Sequence, residues 1–475
     1  MAGDGFTRRE LFYLAGSGAI GAALYATTFD VAGFLSPGQV RAVPAAAGLS
    51  DPAHQMMSAG FANTVPNAAD PAFSYKGNKN KYRVEVGPAL QNVGLVGGVD
   101  GITPLSTPVF GYGEKGVYTW PGKTIFARSG EPVEVKWKNK LFDAAGMPLP
   151  HLLPVDTSLH WAYSLQGYTQ YSIAANGIPI VPHVHGGHTD FQYDGNPEFF
   201  FGPGYNTRGP QWVDKSYLYD MSQPAGTVWY HDHALGITRL NVYAGMAGFF
   251  LIRDAVDTGL PGNPAGLPAV PYEAAFAIQD RMFLDTGELF YPAFPGDPFY
   301  DDFITGEGAV LPPDKFPGEG PTALAEFFGD HIVVNGVIWP KMDVEPRNYR
   351  LRFLNGCDSR FLAIQFFEVP AGAKDFATAT GPLAFTVIGS DQGLASSPTA
   401  LNTLLMETGS RYDLIVDFKQ VTPGNRVIMK NIGGDEPFGG DIPGPQVFGE
   451  TDRIMAFDVV LPLNAAVPDL SLIHI

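Results

Sequence analysis

Two pairs of histidines have the spacing of metal ligands. One pair is His183 and His185, and the other is His231 and His233. In an extended chain, residues i and i+2 point to the same face about 7 Å apart, so each pair offers two imidazoles to one side. Imidazoles without a thiolate suit copper, zinc, iron or nickel, and the ligand type alone does not choose among these metals.

A single His-x-His pair on a strand is more often exposed or capped than bound to a metal. Here two copies lie 48 residues apart in one predicted domain, and small residues follow each copy. This repetition favours metal binding by all four side chains. His151, His160 and His331 have no spaced partner, so we expect them to be structural or exposed. His188 follows the Gly-Gly after the first pair and is interpreted as structural, and His54, near the N-terminus, indicates no function.

The residues around these pairs predict an all-β protein. The chain has 57 Gly and 41 Pro, only 16% charged residues, and short aromatic or β-branched runs between turns. The predicted strands include 118–126, 133–137, 227–231, 246–252, 274–280, 331–334, 349–354, 361–367, 385–388 and 411–418. We predict a first β-sandwich domain over 48–254, a Gly/Pro-rich linker over 255–270 and a second β-sandwich domain over 271–463.

Charge and cysteine content exclude several classes of protein. The formal net charge is -18 and the pI is about 4.9, and no Lys/Arg cluster is present, which argues against a nucleic-acid partner. A single cysteine, Cys357, excludes an internal disulfide framework.

The N-terminus predicts export. Arg8 and Arg9 precede a weakly apolar Gly/Ala-rich stretch, and small residues near 45–47 offer a cleavage site. We interpret residues 1–47 as a twin-arginine signal and linker that lead to a periplasmic or extracellular location, without stable membrane insertion after cleavage. A basic N-terminus before a membrane anchor is the alternative.

Long motifs around the histidines resemble one known family. The run Trp-Tyr-His-Asp-His-Ala-Leu-Gly-Ile-Thr-Arg-Leu-Asn-Val-Tyr-Ala-Gly-Met-Ala-Gly over 229–248 and Pro-His-Val-His-Gly-Gly over 182–187 are similar to segments of multicopper oxidases of the bacterial spore-coat laccase and bilirubin oxidase type. Further matches lie at 152–156, 194–198, 334–340, 345–352 and 388–391. The resemblance covers roughly 75–460 and implies tandem cupredoxin-like Greek-key β-sandwich domains.

The resemblance also implies a copper site and a reaction. His183 matches a ligand of the type 2 copper, whereas His185, His231 and His233 match ligands of the type 3 pair. The implied enzyme couples one-electron oxidation of a small phenolic, pigment or metal-ion substrate to four-electron reduction of dioxygen to water. Asp194 matches an acidic position that helps to deliver protons, although an Asp-Gly turn residue explains it equally well.

Ligands of a type 1 copper are not recognised. Such a site needs a Cys thiolate with two His, and no His lies within 25 residues of Cys357. The C-terminal motifs that would complete the copper sites are also not found, so we expect a third domain to be missing, residues 470–475 to be a non-native tail, and the chain itself to be inactive.

Two other functions fit parts of this sequence. A non-catalytic exported relative, like the cell-division protein of this fold that has lost its coppers, is disfavoured because all four histidines are retained. A two-domain copper enzyme of the nitrite reductase or small laccase kind would need a Cys-His type 1 site.

Overall fold

The computed structural model describes residues 48–153, 155, 173–291, 326–442 and 444–470. The predicted twin-arginine signal at 1–47, His160, and residues 471–475 of the predicted tail lie outside these ranges. Within the described ranges, no helix combines the length and the apolar character needed to cross a bilayer.

The chain forms two successive β-sandwiches, which confirms the all-β, cupredoxin-like prediction. We call them domain 1, with strands β1–β11, and domain 2, with strands β12–β24. Domain 1 contains β1 (Lys81–Gln91), β2 (Val96–Gly97), β3 (Thr103–Pro104), β4 (Thr107–Glu114), β5 (Val117–Thr119), β6 (Gly122–Arg128), β7 (Val133–Asn139), β8 (Pro182–His185), β9 (Ser216–Tyr219), β10 (Gly226–Asp232) and β11 (Ala247–Arg253).

Domain 2 has a larger pair of sheets. Its strands are β12 (Glu273–Phe283), β13 (Leu289–Phe290), β14 (His331–Val334), β15 (Val337–Ile338), β16 (Lys341–Val344), β17 (Asn348–Asn355), β18 (Leu362–Val369), β19 (Phe385–Ser390), β20 (Gly393–Leu401), β21 (Leu404–Met406), β22 (Arg411–Asp417), β23 (Arg426–Asn431) and β24 (Arg453–Val459). The described α-helices are short: α1 (Pro52–Ala59), α2 (Ile173–Asn176) and α3 (Thr238–Tyr243).

The two domains repeat one topology. In domain 1 a five-stranded sheet, β5-β4-β1-β7-β9, faces a four-stranded sheet, β6-β11-β10-β8. In domain 2 an eight-stranded sheet, β15-β14-β12-β17-β22-β19-β20 with β13 beside β12, faces the sheet β16-β24-β23-β18-β21. Each of these four sheets contains one parallel pair among antiparallel ones: β1 with β7, β6 with β11, β12 with β17 and β16 with β24.

Aromatic side chains fill the space between the two sheets of domain 1. Tyr230 of β10 lies 5.2 Å from Tyr112 of β4 and 5.5 Å from Trp137 of β7, measured between ring centroids. The Tyr230 hydroxyl donates to the carbonyl of Lys123 at 2.7 Å, so its polar end is satisfied although the residue is fully buried. This packing fixes β10, the strand that carries one histidine pair.

One predicted strand is divided in the structure. Residues 118–126 were expected to form a single strand, but β5 ends at Thr119 and β6 begins at Gly122. Pro121 has no N–H to donate to a neighbouring strand, which explains the interruption. The two segments join opposite sheets.

Buried ion pairs hold the segment between the domains. Asp257, 1% exposed, accepts hydrogen bonds from Arg350 at 2.9 and 2.7 Å and from Arg352 at 3.0 Å. Arg253, the last residue of β11, donates to Glu273, the first residue of β12, at 2.9 and 2.8 Å. The predicted linker is therefore bound to both sandwiches.

This ion cluster depends on its complete set of charges. Burial alone would raise the pKa of Glu273, but the guanidiniums of Arg352, Arg253 and Arg350 outweigh burial and lower it to about 2. Removing one member of a buried ion pair leaves its partner's charge without compensation. The cluster therefore makes the two domains depend on each other.

We expect Glu273→Gln to destabilise the protein by about 3–5 kcal/mol at pH 7, because it leaves buried guanidiniums with one carboxylate fewer. Since the folded pKa of about 2 lies below the ordinary value of 4.5, this stabilisation is complete above pH 4.5 and is lost as the pH falls towards 2. Urea unfolding at several pH values measures both effects. Glu134→Gln, at a surface pair with Lys81, is the control and should cost under about 1 kcal/mol. Equal unfolding free energies for the two variants at pH 7 would contradict the expectation.

Candidate metal centre

Strands β8 and β10 place the histidine pairs opposite each other. They pair antiparallel, with His183 opposite His231 and His185 opposite Trp229. His183 and His185 share one face of β8, and both are partly buried. His233 follows directly after β10, and its backbone N–H donates at 2.8 Å to the carbonyl of the residue before β8. Strand pairing therefore brings together residues that are far apart in sequence.

All four imidazoles gather in one place. The ring centroid of His183 lies 5.7 Å from that of His185 and 5.2 Å from those of His231 and His233. The His231 centroid lies 5.5 Å from that of His185 and 5.8 Å from that of His233. His183, His185 and His231 each direct a nitrogen into a group that spans 4.8 Å. His233 is more exposed and stands at the edge of this group.

The orientation of two rings suits a shared metal ion. Nδ1 of His231 lies 2.7 Å from the carbonyl of Asp232, so this nitrogen carries the hydrogen and Nε2 keeps a lone pair. That Nε2 is 3.3 Å from Nδ1 of His185. An ion about 2.0–2.1 Å from both nitrogens would make an N–metal–N angle of roughly 107°. The same distance fits a long hydrogen bond between the two rings. Whether both nitrogens can bind an ion therefore depends on the protonation states of His185 and His231.

The site disfavours protonated imidazoles. Burial, followed by the neighbouring rings of His233 and His185, lowers the pKa of His183 to about 4. Burial and the charge of Arg411 lower the pKa of His185 to about 4, and burial lowers that of His231 well below its ordinary value. Neutral imidazoles keep the lone pairs that bind metals at neutral pH. The donor set therefore fits a transition-metal ion.

Asp194 lies beside the first histidine. Its Oδ1 is 3.4 Å from Nδ1 of His183, within ion-pair distance but without a hydrogen bond. The next residue, Gly195, has a φ of +81°, and a Cβ there would lie 2.6 Å from Cβ of His183. Asp194 is therefore both a turn residue, followed by Gly195, and a neighbour of His183. The role of Asp194 in moving protons stays a prediction.

Sequence reasoning missed Trp229. Its indole stacks on His185 with 5.1 Å between centroids and 26° between planes, and its centroid lies 4.3 Å from that of His231. Trp229 precedes His231 by two positions on β10, so the two side chains share a face. This i, i+2 spacing could have predicted that Trp229 lies beside His231. The indole restricts the orientation of both rings.

Asp232 holds the backbone around the four histidines. It is fully buried, and its carboxylate accepts from the N–H of Val181 at 2.7 Å, the N–H of Ala234 at 3.0 Å and the amide of Asn241 at 2.6 Å. Burial raises its pKa to about 6. The carboxylate thus connects the start of β8, the end of β10 and α3, as expected for a residue whose side chain points away from its histidine neighbours.

His151 extends this network. Its Nδ1 accepts from the N–H of Leu153 at 3.0 Å, so Nε2 carries the hydrogen and donates to Oδ1 of Asn241 at 3.1 Å. His331 is also buried and contacts Asp330 at 2.6 Å and Ser50 at 3.3 Å. These two are satisfied structural histidines.

The two other described histidines lie at the surface. Nε2 of His54 contacts the carbonyl of Gly101 at 2.8 Å. The exposed His188 uses its backbone N–H to bond Gln223 at 2.7 Å.

A cavity of about 460 Å³ opens beside the four histidines, between the domains. Domain 2 contributes Cys357, Asp358 and Gly409 to its wall. Burial and the charge of Asp280 raise the pKa of the Cys357 thiol well above its ordinary value, so it stays protonated at neutral pH. That Cys357 is not a copper ligand stays a prediction. Cys357 lies far from the histidine pairs in sequence, so the sequence alone did not predict that it lines the same cavity.

The fold and site define a tandem β-sandwich protein with four clustered histidines that could hold a transition-metal ion. A family model described as multicopper oxidase matches residues 177–257, which contain all four histidines. A laccase of Bacillus stratosphericus is 36% identical over 345 residues, covering 72% of this chain and 57% of that protein. A laccase of Bacillus subtilis (strain 168) is 34% identical over 353 residues, covering 74% and 58%. The chain belongs to the multicopper oxidase family, whose metal is copper.

Solved structures support the fold. The 2F4 variant of the McoA multicopper oxidase from Aquifex aeolicus superposes with a TM-score of 0.55 at 21% identity, covering 87% of this chain and 68% of that one. The chain spans somewhat more than half the length of the two Bacillus laccases.

We expect Asp232→Asn to destabilise the protein by about 1–3 kcal/mol, because an amide NH₂ cannot accept from the backbone N–H groups that the carboxylate satisfies. Chemical denaturation gives the unfolding free energy. Asp220→Asn, at an exposed turn where the carboxylate also accepts a backbone N–H, serves as the control. Equal losses in both variants would show that Asp232 does not hold the two strands.

Proposed function

We propose that this chain supplies four histidines to the oxygen-reducing copper site of a multicopper oxidase. His183 would bind the type 2 copper, and His185, His231 and His233 the type 3 pair. The observation that carries the proposal is the approach of Nδ1 of His185 to Nε2 of His231 at 3.3 Å, with Nδ1 of His231 engaged by a backbone carbonyl. Family membership makes copper the metal.

The chain's own residues prepare the site before any metal arrives. Asp232 fixes the carbonyl that selects the His231 tautomer, Trp229 limits the tilt of the rings, and Asp194 lies beside the outer nitrogen of His183. Bound copper would supply the one-electron chemistry by which dioxygen is reduced to water. We propose that Asp194 keeps His183 oriented, and its role as a proton relay remains the expectation from the resemblance.

The proposed reaction takes electrons from a small reducing substrate. Phenols, pigments of the bilirubin kind, aromatic amines and metal ions are the candidate classes. The 11 Met are scattered and form no Met-rich segment, which favours a phenol or pigment over cuprous ion. The proposed export signal suits this function, because the twin-arginine route carries proteins that have already folded around a metal.

We expect the chain to bind Cu(II). His231→Ala should weaken Cu(II) binding by about tenfold or more, because the loss of a direct ligand should reduce affinity at least as much as the loss of a residue that orients a ligand. Competition with a chelator of known affinity measures the change. His188→Ala removes an exposed histidine outside the group and should stay within about twofold of wild type. If wild type bound no Cu(II), or if both variants bound alike, the proposed site would be wrong.

We further propose that the chain alone does not reduce dioxygen to water. The described histidine group contains four imidazoles, whereas the resemblance implies that C-terminal motifs supply the ligands that complete the copper sites. Oxygen uptake with a phenolic dye should therefore not exceed that of free Cu(II), whereas the Bacillus subtilis laccase serves as the positive control. Four-electron oxygen reduction by the copper-loaded chain would overturn this expectation.

A further inference from the structure

We propose that domain 2 positions the His185–His231 pair through Gly409 and Arg411, so that copper binding in domain 1 depends on its contact with domain 2. The inference rests on the proposed copper site. The inference gives a function to domain 2, although no described residue of domain 2 belongs to the histidine group.

Gly409 forms one wall around the His185 ring. It lies in the turn between β21 and β22 with a φ of +80°, and its N–H donates to the carbonyl of Asn355 at 2.7 Å. A Cβ at this position would lie 3.3 Å from Cε1 and 3.6 Å from Nε2 of His185. With Trp229 stacked on the ring face, the turn limits how far the Cε1–Nε2 edge of the His185 ring can move.

Arg411 ties this turn to the strand of the second histidine pair. Its Nη1 donates to the carbonyl of Gly409 at 2.9 Å, and its Nε donates to the carbonyl of Thr227 on β10 at 3.0 Å. Its Nη2 donates to the carbonyl of Asp391 at 3.1 Å, and its side chain is only 3% exposed. One guanidinium therefore joins the Gly409 turn to β10, which leads from Thr227 to His231.

Two further contacts strengthen this connection. Arg352 donates to the hydroxyl of Thr227 at 2.7 Å, so two arginines of domain 2 hold the same residue of β10. Gly186, directly after His185, has a φ of +85°, and any Cβ there would overlap Nη2 of Arg411. Domain 2 thus contacts both histidine strands close to their ligands.

These contacts predict a thermodynamic coupling. A ring held in its metal-binding orientation loses less freedom when the ion binds, and residues that orient ligands typically change metal affinity 10–100-fold when removed. If the domain contact favours copper binding, copper binding must favour the domain contact by the same factor. Gly409 and Arg411 are therefore positioning residues.

The test compares two glycine substitutions in domain 2. Gly409→Ala places a methyl group against His185, whereas Gly424→Ala has a similar φ of +95° and no other heavy atom within 4 Å of the added Cβ. Both variants carry similar backbone strain, so their unfolding free energies without copper should fall alike. Cu(II) affinity is measured by chelator competition, and the geometry of the bound ion by the Cu(II) hyperfine splitting in electron paramagnetic resonance.

We expect Gly409→Ala to bind Cu(II) about tenfold more weakly than Gly424→Ala and to change the hyperfine splitting. Arg411→Lys keeps the positive charge but loses the branched set of hydrogen bonds, and it should show the same direction of change. If Gly409→Ala does not fold, Arg411→Lys decides the question. Wild-type affinity and an unchanged spectrum in Arg411→Lys, or equal affinities of the two alanine variants, overturn the inference while the copper site stands. A wild-type protein that binds no Cu(II) overturns both.

Discussion

The antiparallel register between β8 and β10 is the constraint on which the site depends. His183 faces His231 across the ladder, and the two strands are held by Asp232, which bonds the backbone just before β8 and just after β10. Side chains alternate along a strand, so a slip of one residue would turn an entire histidine pair to the opposite face. The aromatic packing of Tyr230 between the sheets of domain 1 makes such a slip costly.

Burial of the imidazoles gives the site its chemistry and also limits its stability. The burial that keeps His183 and His185 neutral also disfavours the charged form of Asp232 and raises the pKa of this carboxyl to about 6. The structure meets this cost with backbone N–H donors and the Asn241 amide instead of a cation. These neutral donors add no further positive charge beside the histidines, where the Arg411 guanidinium already lowers the pKa of His185.

The sequence predicted the fold class and the group of four histidines because both depend on local patterns. Alternating runs between Gly and Pro breaks reveal strands, and His-x-His reveals a shared face. The division of the strand at Pro121 was not predicted, although proline was the available signal. Gly409, Arg411 and Cys357 could not be placed near the site, because they reach it only through the packing of domain 2 on domain 1. The buried ion cluster was likewise not predicted, because Asp257 lies in a Gly/Pro-rich segment and its arginine partners lie on strands distant in sequence.

The ion cluster between the sandwiches has a consequence for how such a protein can change over evolutionary time. Any recombination breakpoint between residues 254 and 272 separates Arg253 from Glu273 and removes Thr227 from Arg352. Each product would inherit buried charge or polar groups without their counterparts, unless the incoming half carried matching ones. The smallest piece that can be exchanged between relatives without repair is therefore the pair of sandwiches, although each sandwich alone has the size and layered form of an independent domain.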